Sequence, residues 1–202
     1  MGWIRPGWGN LSGAKTLSRP LLILDIDETL IHAVEQPLDR DCDLRADQFH
    51  VYFRPHVTEF LVAVSSCYDL AVWSSATADY LKLIVGALMA NIAVPLFVWD
   101  RNKCNRRMDF IQQEEYFLKD LRKVKRKGFE LERILMLEDE PRKVWRNYGN
   151  AIYVQPFLGQ IEDDELEKLV HYLLTIRSVP DFRTLEKRFW RSTAQTKIHT
   201  HE

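Results

Sequence analysis

LLILDIDETLIH, residues 21–32, carries a run of aliphatic residues into Asp25, Ile26, Asp27, Glu28 and Thr29. A short run without polar alternation suits a strand covered on both faces, as in a parallel sheet. Four more runs share that character: DLAVWS (69–74), PLFVW (95–99), RILML (133–137) and NAIYV (150–154). Helical periodicity lies between them. Residues 56–66 place Val57, Phe60, Leu61 and Val64 on one face. Residues 77–91 do the same with Tyr80, Leu81, Ile84 and Leu88, with Thr77 at the N-cap. Residues 114–127 form a third helical pattern. The alternation predicts an α/β domain: a parallel sheet flanked by helices, with right-handed crossovers.

Two segments interrupt the alternation. Residues 33–53 hold a polar loop and then QFHVYF, a strand expected outside the main sheet. Residues 100–113 are polar and read as loop. From Glu162 onward two helical patterns flank Pro180, the first opening on Asp163, Asp164 and Glu165, which suit a helix N-terminus. The expected organisation is a loose lead-in over 1–19, anchored by Trp3 or Trp8, a core over 20–160 with a small insertion at 33–53, and a helical extension over 161–202.

The chain has 202 residues, 46% of them hydrophobic, which excludes wholesale disorder. Its 28 Lys and Arg residues against 29 Asp and Glu give a net charge of -1, so no basic excess points to nucleic-acid binding. Cys42, Cys67 and Cys104 are odd in number and match no zinc spacing, which fits a reducing, intracellular setting. The most apolar stretch, Leu81 to Trp99, is interrupted by Lys82, Asn91 and Pro95. It reads as a helix ending near Asn91 and then a buried strand, with no membrane span. A cytoplasmic monomer is expected, with a nuclear location as the alternative in a eukaryote.

Ligands in an open α/β sheet bind beyond the carboxyl ends of the strands. Asp25 and Asp27, two residues apart where the first strand ends, can point into one crevice. One can serve as nucleophile and metal ligand, the other as general acid and base. The bland alternative is an acidic turn after a core strand. Glu138 and Asp139 follow RILML at another strand end. Ser74 closes a strand and could be an ordinary strand-end residue. Lys119 shares a run with Lys123, Lys125 and Lys127, the pattern of a solvated face. His32, His50 and His56 form no metal cluster by spacing. Cys104 has no loop around it that would make it a nucleophile.

LDIDETLIH resembles the first motif of the haloacid dehalogenase superfamily. With VYFRPHVTEFL (51–61), LAVWSSATADY (70–80), DRNKC (100–104), YFLKDL (116–121) and LMLEDEP (135–141), the chain resembles the FCP/SCP-like branch. That branch holds the NLI-interacting-factor-like and CTD small phosphatases. The resemblance spans about residues 20–160. It implies a HAD-like Rossmannoid sheet without a large cap, and magnesium-dependent hydrolysis of phosphomonoesters through phosphoaspartate. It makes Asp25 the nucleophile and metal ligand. It makes Asp27 the acid and base, with its backbone carbonyl on magnesium. Thr29 supports the loop. Ser74 and Lys119 fall on phosphate-binding positions. Tyr80 and Arg101 fall where relatives contact the phosphoryl group or its flanking residue, with Arg106 and Arg107 as competitors. Asp139 falls on a metal-ligand position, with Glu138 beside it.

Two departures from the family pattern bear on function. Glu138-Asp139 stands where many relatives carry Asp-Asn or Asp-Asp, so Glu138 is expected in the metal's first or second shell. The segment from His32 to Arg54 is short, and its three-stranded peptide-binding insertion is expected to shrink to a hairpin. The expected substrate is a phosphoprotein bearing phosphoserine or phosphothreonine. A small-molecule or nucleotide phosphatase is the nearer alternative, and a non-catalytic phosphopeptide-binding scaffold is the alternative of another class. No nucleic-acid or membrane partner is expected.

Overall fold

The computed structural model describes residues 19–195. The lead-in with Trp3 and Trp8 falls outside the described residues, except for Arg19. The central sheet has five parallel strands in the order β10-β9-β1-β5-β6. They are β1 (Leu21–Leu24), β5 (Asp69–Trp73), β6 (Val98–Trp99), β9 (Ile134–Glu138) and β10 (Ala151–Tyr153). All five coincide with the apolar runs, and the α/β expectation matches the architecture.

Both faces of β1, β5 and β9 are buried, which is why they show no alternation. The buried strand expected over 95–99 is instead a two-residue edge strand with Leu96 and Val98 exposed, because no strand covers its outer side. Leu22, Leu24, Leu70, Val72, Leu135 and Leu137 face one layer. That layer holds α1 (Val57–Ser65), α2 (Ala78–Met89) and α4 (Glu165–Ile176). Leu21, Ile23, Ala71, Trp73, Ile134 and Met136 face a thinner layer made by Trp99, Leu121 and Val124. Val124 belongs to α3 (Arg122–Lys125). α2 ends where expected: Asn91 adopts φ 63, a left-handed conformation that asparagine tolerates at a helix end. Thr77 occupies the N-cap of α2 but makes no side-chain cap hydrogen bond. Among the described residues no helix is long and apolar enough to cross a membrane.

Two expectations give way. The 33–53 insertion is a three-stranded sheet, not a hairpin: β2 (Ile31–Val34), β3 (Leu44–Ala46) and β4 (Phe49–Phe53), in the order β2-β4-β3. The middle strand is the apolar one, and β3 has only Ala46 buried, too little for a sequence signal. Residues 100–127 are not loop followed by helix. They form an antiparallel ribbon of β7 (Asn105–Asp109) and β8 (Glu114–Leu118), and only then the single turn of α3. Cross-strand pairs such as Arg106–Glu115 hold a ribbon whose residues are mostly solvent-exposed.

The C-terminal residues share the core of the sheet. Leu166, Leu169, Leu173, Phe182 and Trp190 lie in the same cluster as Leu22 and Leu24. The Tyr68 hydroxyl donates to Leu173 O at 2.7 Å, and Trp190 Nε1 donates to Tyr153 O at 2.9 Å. Trp190 is part of α5 (Trp190–Gln195) and packs against Tyr172. Trp190→Ala should therefore lower the unfolding free energy by about 3–5 kcal/mol. Urea titration followed by circular dichroism reads it, and a loss below about 1 kcal/mol would contradict this packing.

Candidate active site

The strand order reverses direction beside β1, and β1 lies between β5 and β9. Side chains at the carboxyl ends of these three strands therefore share one crevice. Asp25 follows β1, Ser74 follows β5, Glu138 ends β9 and Asp139 follows it. Lys119 enters from outside the sheet, directly after β8, and its N–H donates to Lys143 O at 2.7 Å.

Lys119 is completely buried between two carboxylates. Its Nζ lies 2.6 Å from Asp25 Oδ1 and 2.8 Å from Glu138 Oε2. Burial opposes the charge on Lys119, but the two carboxylates outweigh it and hold the ammonium protonated beyond its usual range. Burial likewise pushes the Asp25 carboxyl up. The charges of Lys119 and Lys143 more than offset this and keep Asp25 ionised below the usual range. Burial and the Asp25 charge push Glu138 well above its usual range. Lys143 is the second cation, with Nζ 3.0 Å from Glu140, 3.7 Å from Glu138, 3.9 Å from Asp139 and 4.0 Å from Asp25 Oδ2.

Asp27 is oriented separately. The Tyr80 hydroxyl donates to its Oδ1 at 3.0 Å, and Ser74 Oγ donates to its Oδ2 at 3.3 Å. Ser74 Oγ in turn accepts from Ala76 N at 2.9 Å. Burial, then the Asp25 charge, raises the Asp27 carboxyl above the usual range. Asp27, Tyr80 and Arg101 line the wall of an open cavity of about 540 Å³, which continues past Phe49, Asp47 and Thr77. The cavity thus lies between the β3–β4 turn and the start of α2. Arg101 is exposed, donates from Nε to Ser75 O at 2.9 Å, and stacks over Phe117. Thr29 is buried, and its hydroxyl has no hydrogen-bond partner.

The structure thus brings Asp25, Asp27, Ser74, Tyr80, Lys119, Glu138 and Asp139 together. Arg101 stands at the rim, and Thr29 lies behind the turn rather than in the cavity. Lys143 and Glu28 were not singled out from the sequence. Lys143 is four residues beyond Asp139, and a short turn opening on Pro141 folds it back over the strand end. Proline directly after an acidic strand end was the available signal. Cys104 has its thiol pushed up by burial, which suits a protonated group and not a nucleophile.

The donor set fits a hard divalent cation such as magnesium. One oxygen each from Asp25, Glu138 and Asp139 lies within 4.8 Å of the others. Asp25 Oδ2 and Asp139 Oδ1 are buried without a hydrogen-bond partner. Carboxylate oxygens without thiol or imidazole are the ligands magnesium prefers. Glu138 differs from the other two in already giving one oxygen to Lys119.

Residues 20–183 match the family model described as NLI interacting factor-like phosphatase. The chain is 25% identical over 163 residues to Phosphatase Herzog of Drosophila melanogaster, covering 76% of this chain and 43% of that protein. It is 27% identical over 187 residues to CTD nuclear envelope phosphatase 1 of Xenopus tropicalis, covering 85% of this chain and 73% of that protein. Among solved structures it resembles a fission yeast RNA polymerase II CTD phosphatase bound to beryllium fluoride. The TM-score is 0.50 at 16% identity, over 90% of this chain and 50% of the other. That likeness bears on the fold. The chain spans about half the length of the Drosophila protein and of the yeast structure.

The crowding of carboxyls has a pH signature. Burial, then the charges of Asp27 and Asp139, raise Glu28 from the ordinary glutamate value to about 7. Between about pH 4.5 and 7 the unfolded chain ionises this group while the folded chain holds its proton. The folded state binds more protons there, so stability falls as pH rises through that window. Glu28→Gln should flatten the fall. Unfolding curves from pH 4.5 to 7.5 in a chelator would show it, and an unchanged slope would remove Glu28 from the coupled group.

Proposed function

The chain belongs to the NLI interacting factor-like phosphatase family, and from that membership we propose that it hydrolyses phosphomonoesters through a phosphoaspartate on Asp25, with magnesium as cofactor and phosphoserine or phosphothreonine proteins as substrates. The carrying observation is the Asp25 carboxylate. Lys119 fixes Oδ1 at 2.6 Å, while Oδ2 is buried without a hydrogen-bond partner. An ionised oxygen held at a strand end without a hydrogen bond, with the Lys143 ammonium 4.0 Å away, is placed for in-line attack on phosphorus.

In this reading Asp25 Oδ2 forms a bond to phosphorus as the ester P–O bond breaks. Asp27 gives its proton to the leaving oxygen. Its raised pKa favours keeping that proton until it is needed. Asp27 then takes a proton from water, the water oxygen attacks phosphorus, and phosphate leaves with the Asp25 carboxylate restored. Tyr80 and Ser74 aim Asp27 by donating to both of its oxygens. Lys119 and Lys143 offset the repulsion between a phosphate dianion and Asp25. Asp25, Asp139 and the Asp27 carbonyl would hold magnesium, which when bound neutralises charge on the phosphoryl oxygens. Glu138 serves mainly as the second anchor of Lys119.

The phosphoprotein assignment rests on the family and on the shape of the mouth. The cavity is open beside the three-stranded insertion, so an extended chain can cross it. The yeast RNA polymerase II CTD phosphatase and the Xenopus nuclear envelope phosphatase are named for related activities and locations. We accordingly place the protein in the cytoplasm or at the nuclear envelope, a choice that imaging of a tagged chain decides.

Asp25→Asn should abolish phosphate release from nitrophenyl phosphate in the presence of magnesium while leaving the circular dichroism spectrum intact. Chelation of the wild-type chain should have the same effect, reversed by adding magnesium back. Substantial turnover by the folded variant would sink the phosphoaspartate assignment.

Arg101 tests the substrate class. If its guanidinium meets a phosphopeptide, Arg101→Ala should reduce kcat/KM on a phosphoserine peptide much more than on nitrophenyl phosphate. The lost charge-assisted contact corresponds to about 1.5–3 kcal/mol, roughly ten- to a hundredfold. Equal losses would assign Arg101 to the phosphoryl group alone. No loss on either would favour a small-molecule substrate.

A further inference from the structure

The turn that presents Asp27 contains a left-handed residue that is not glycine: Glu28 has φ 55. Such a conformation persists where surrounding contacts over-determine it. Here the carbonyls of three consecutive turn residues are each caught by a donor from outside the turn. Glu28 O accepts from Phe157 N at 2.7 Å. Thr29 O accepts from the Arg54 guanidinium at 3.0 Å, and Leu30 O accepts from Arg54 N at 3.0 Å.

Arg54 is almost wholly buried, at 1% exposure. Its two remaining directions go to one carboxylate: Nε and a terminal nitrogen donate to the two oxygens of Asp163, both at 2.8 Å. Asp163 stands just before α4 and also accepts from Glu165 N. The guanidinium lies over the Phe157 ring, 5.5 Å from its centroid. Between Phe157 and Asp163 the chain bends at Gly159, φ 90, where a Cβ would clash with the Leu38 side chain of the insertion. Residues 157–163 therefore form a strap closed over both the insertion and the turn.

We propose that Arg54, held by Asp163, is a positioning residue that fixes the Glu28 turn and so sets where Asp25 and Asp27 stand relative to each other. The planar fork of arginine reaches the turn carbonyl and both carboxylate oxygens at once, which a lysine cannot do. Without Asp163 the buried charge would have no counter-ion. The proposal rests on the phosphatase reading only for its kinetic consequence; the structural consequence stands independently.

The test compares Arg54→Lys, Asp163→Asn and Asp163→Glu with a matched control. Arg133 is a second buried arginine tied to the C-terminal segment, through Val179 O, Arg177 O and the Phe182 ring. Arg133→Lys therefore carries a comparable structural loss. Arg54→Lys and Asp163→Asn should lower kcat on nitrophenyl phosphate about tenfold or more below their melting temperatures, with KM within about threefold. Hydrogen exchange at the amides of residues 28–31 should accelerate about tenfold in the same variants. Asp163→Glu, which keeps the charge, should recover part of both effects. Arg133→Lys should lower the melting temperature but leave kcat and that exchange at wild-type values. Wild-type exchange at residues 28–31 in folded Arg54→Lys or Asp163→Asn would overturn the proposal, as would equal changes in Arg133→Lys. If the wild-type chain hydrolyses no phosphomonoester, the phosphatase reading fails and the exchange data alone decide the role of Arg54. If Asp163→Asn does not fold, Arg54→Lys and Asp163→Glu decide it by the same readings.

Discussion

A lysine ammonium buried out of reach of water needs neighbouring charge, and the site is built around that requirement. The Lys119 charge is stable at the end of the sheet only because Asp25 and Glu138 lie within 2.8 Å of it. Removing one partner from such a group typically costs about 3–5 kcal/mol, because the remaining charge is left uncompensated. The β7–β8 ribbon must therefore return to the sheet with Lys119 at its end. The ends of β1 and β9 must meet in register, as the pairs Leu24–Leu137 and Leu21–Ile134 allow. The backbone bond from Lys119 N to Lys143 O brings the second ammonium into the same space.

Carboxyls outnumber those two cations at this end of the sheet. Asp25, Asp27, Glu28, Glu138 and Asp139 are five carboxyls against two ammonium groups. The excess is expressed in raised pKa values at Asp27, Glu28 and Glu138, and in the orphaned oxygens of Asp25 and Asp139. Raised values favour the protonated forms of those three carboxyls and so relieve the crowding. In the phosphatase reading a further cation would offset the charge of the incoming phosphate. Asp139 Oδ1, buried without a hydrogen bond, marks where one would be held. The geometry also separates the two members of the fourth motif. Glu138 is committed to Lys119, whereas Asp139 Oδ1 makes no hydrogen bond and has Lys143 at 3.9 Å.

The central sheet was legible because burial on both faces leaves an unbroken apolar run, and all five runs became strands. The first carboxylates were legible because they interrupt such a run where it must end. The ribbon at 105–118 was not, since its residues are mostly exposed and neither strand carries a buried stripe. The sequence EEYFLKDLRKVKRK has helical spacing, and tertiary pairing overrode it. Nor was β3 legible, with three residues and one buried side chain. Arg54 lies within the segment VYFRPHVTEFL, yet its partner is 109 residues away and no local pattern joins them. Pairings of that range arise from the topology and not from periodicity.

That range has a consequence for how the site is assembled. The first motif occupies the end of β1 and the turn after it, but two of the three outer donors that hold the turn belong to Arg54 and the third to Phe157. Arg54 in turn depends on Asp163, which α4 places by packing Leu166 and Leu169 into the core beneath β1. The turn that carries Asp27 is thus held by the last third of the folded chain as well as by the first. An incompletely docked α4 would leave Arg54 without its counter-ion and the Glu28 turn without one of its anchors. A left-handed turn with fewer anchors relaxes toward ordinary conformations. On the role proposed for Arg54, docking of α4 and the geometry of the Asp25–Asp27 pair are coupled.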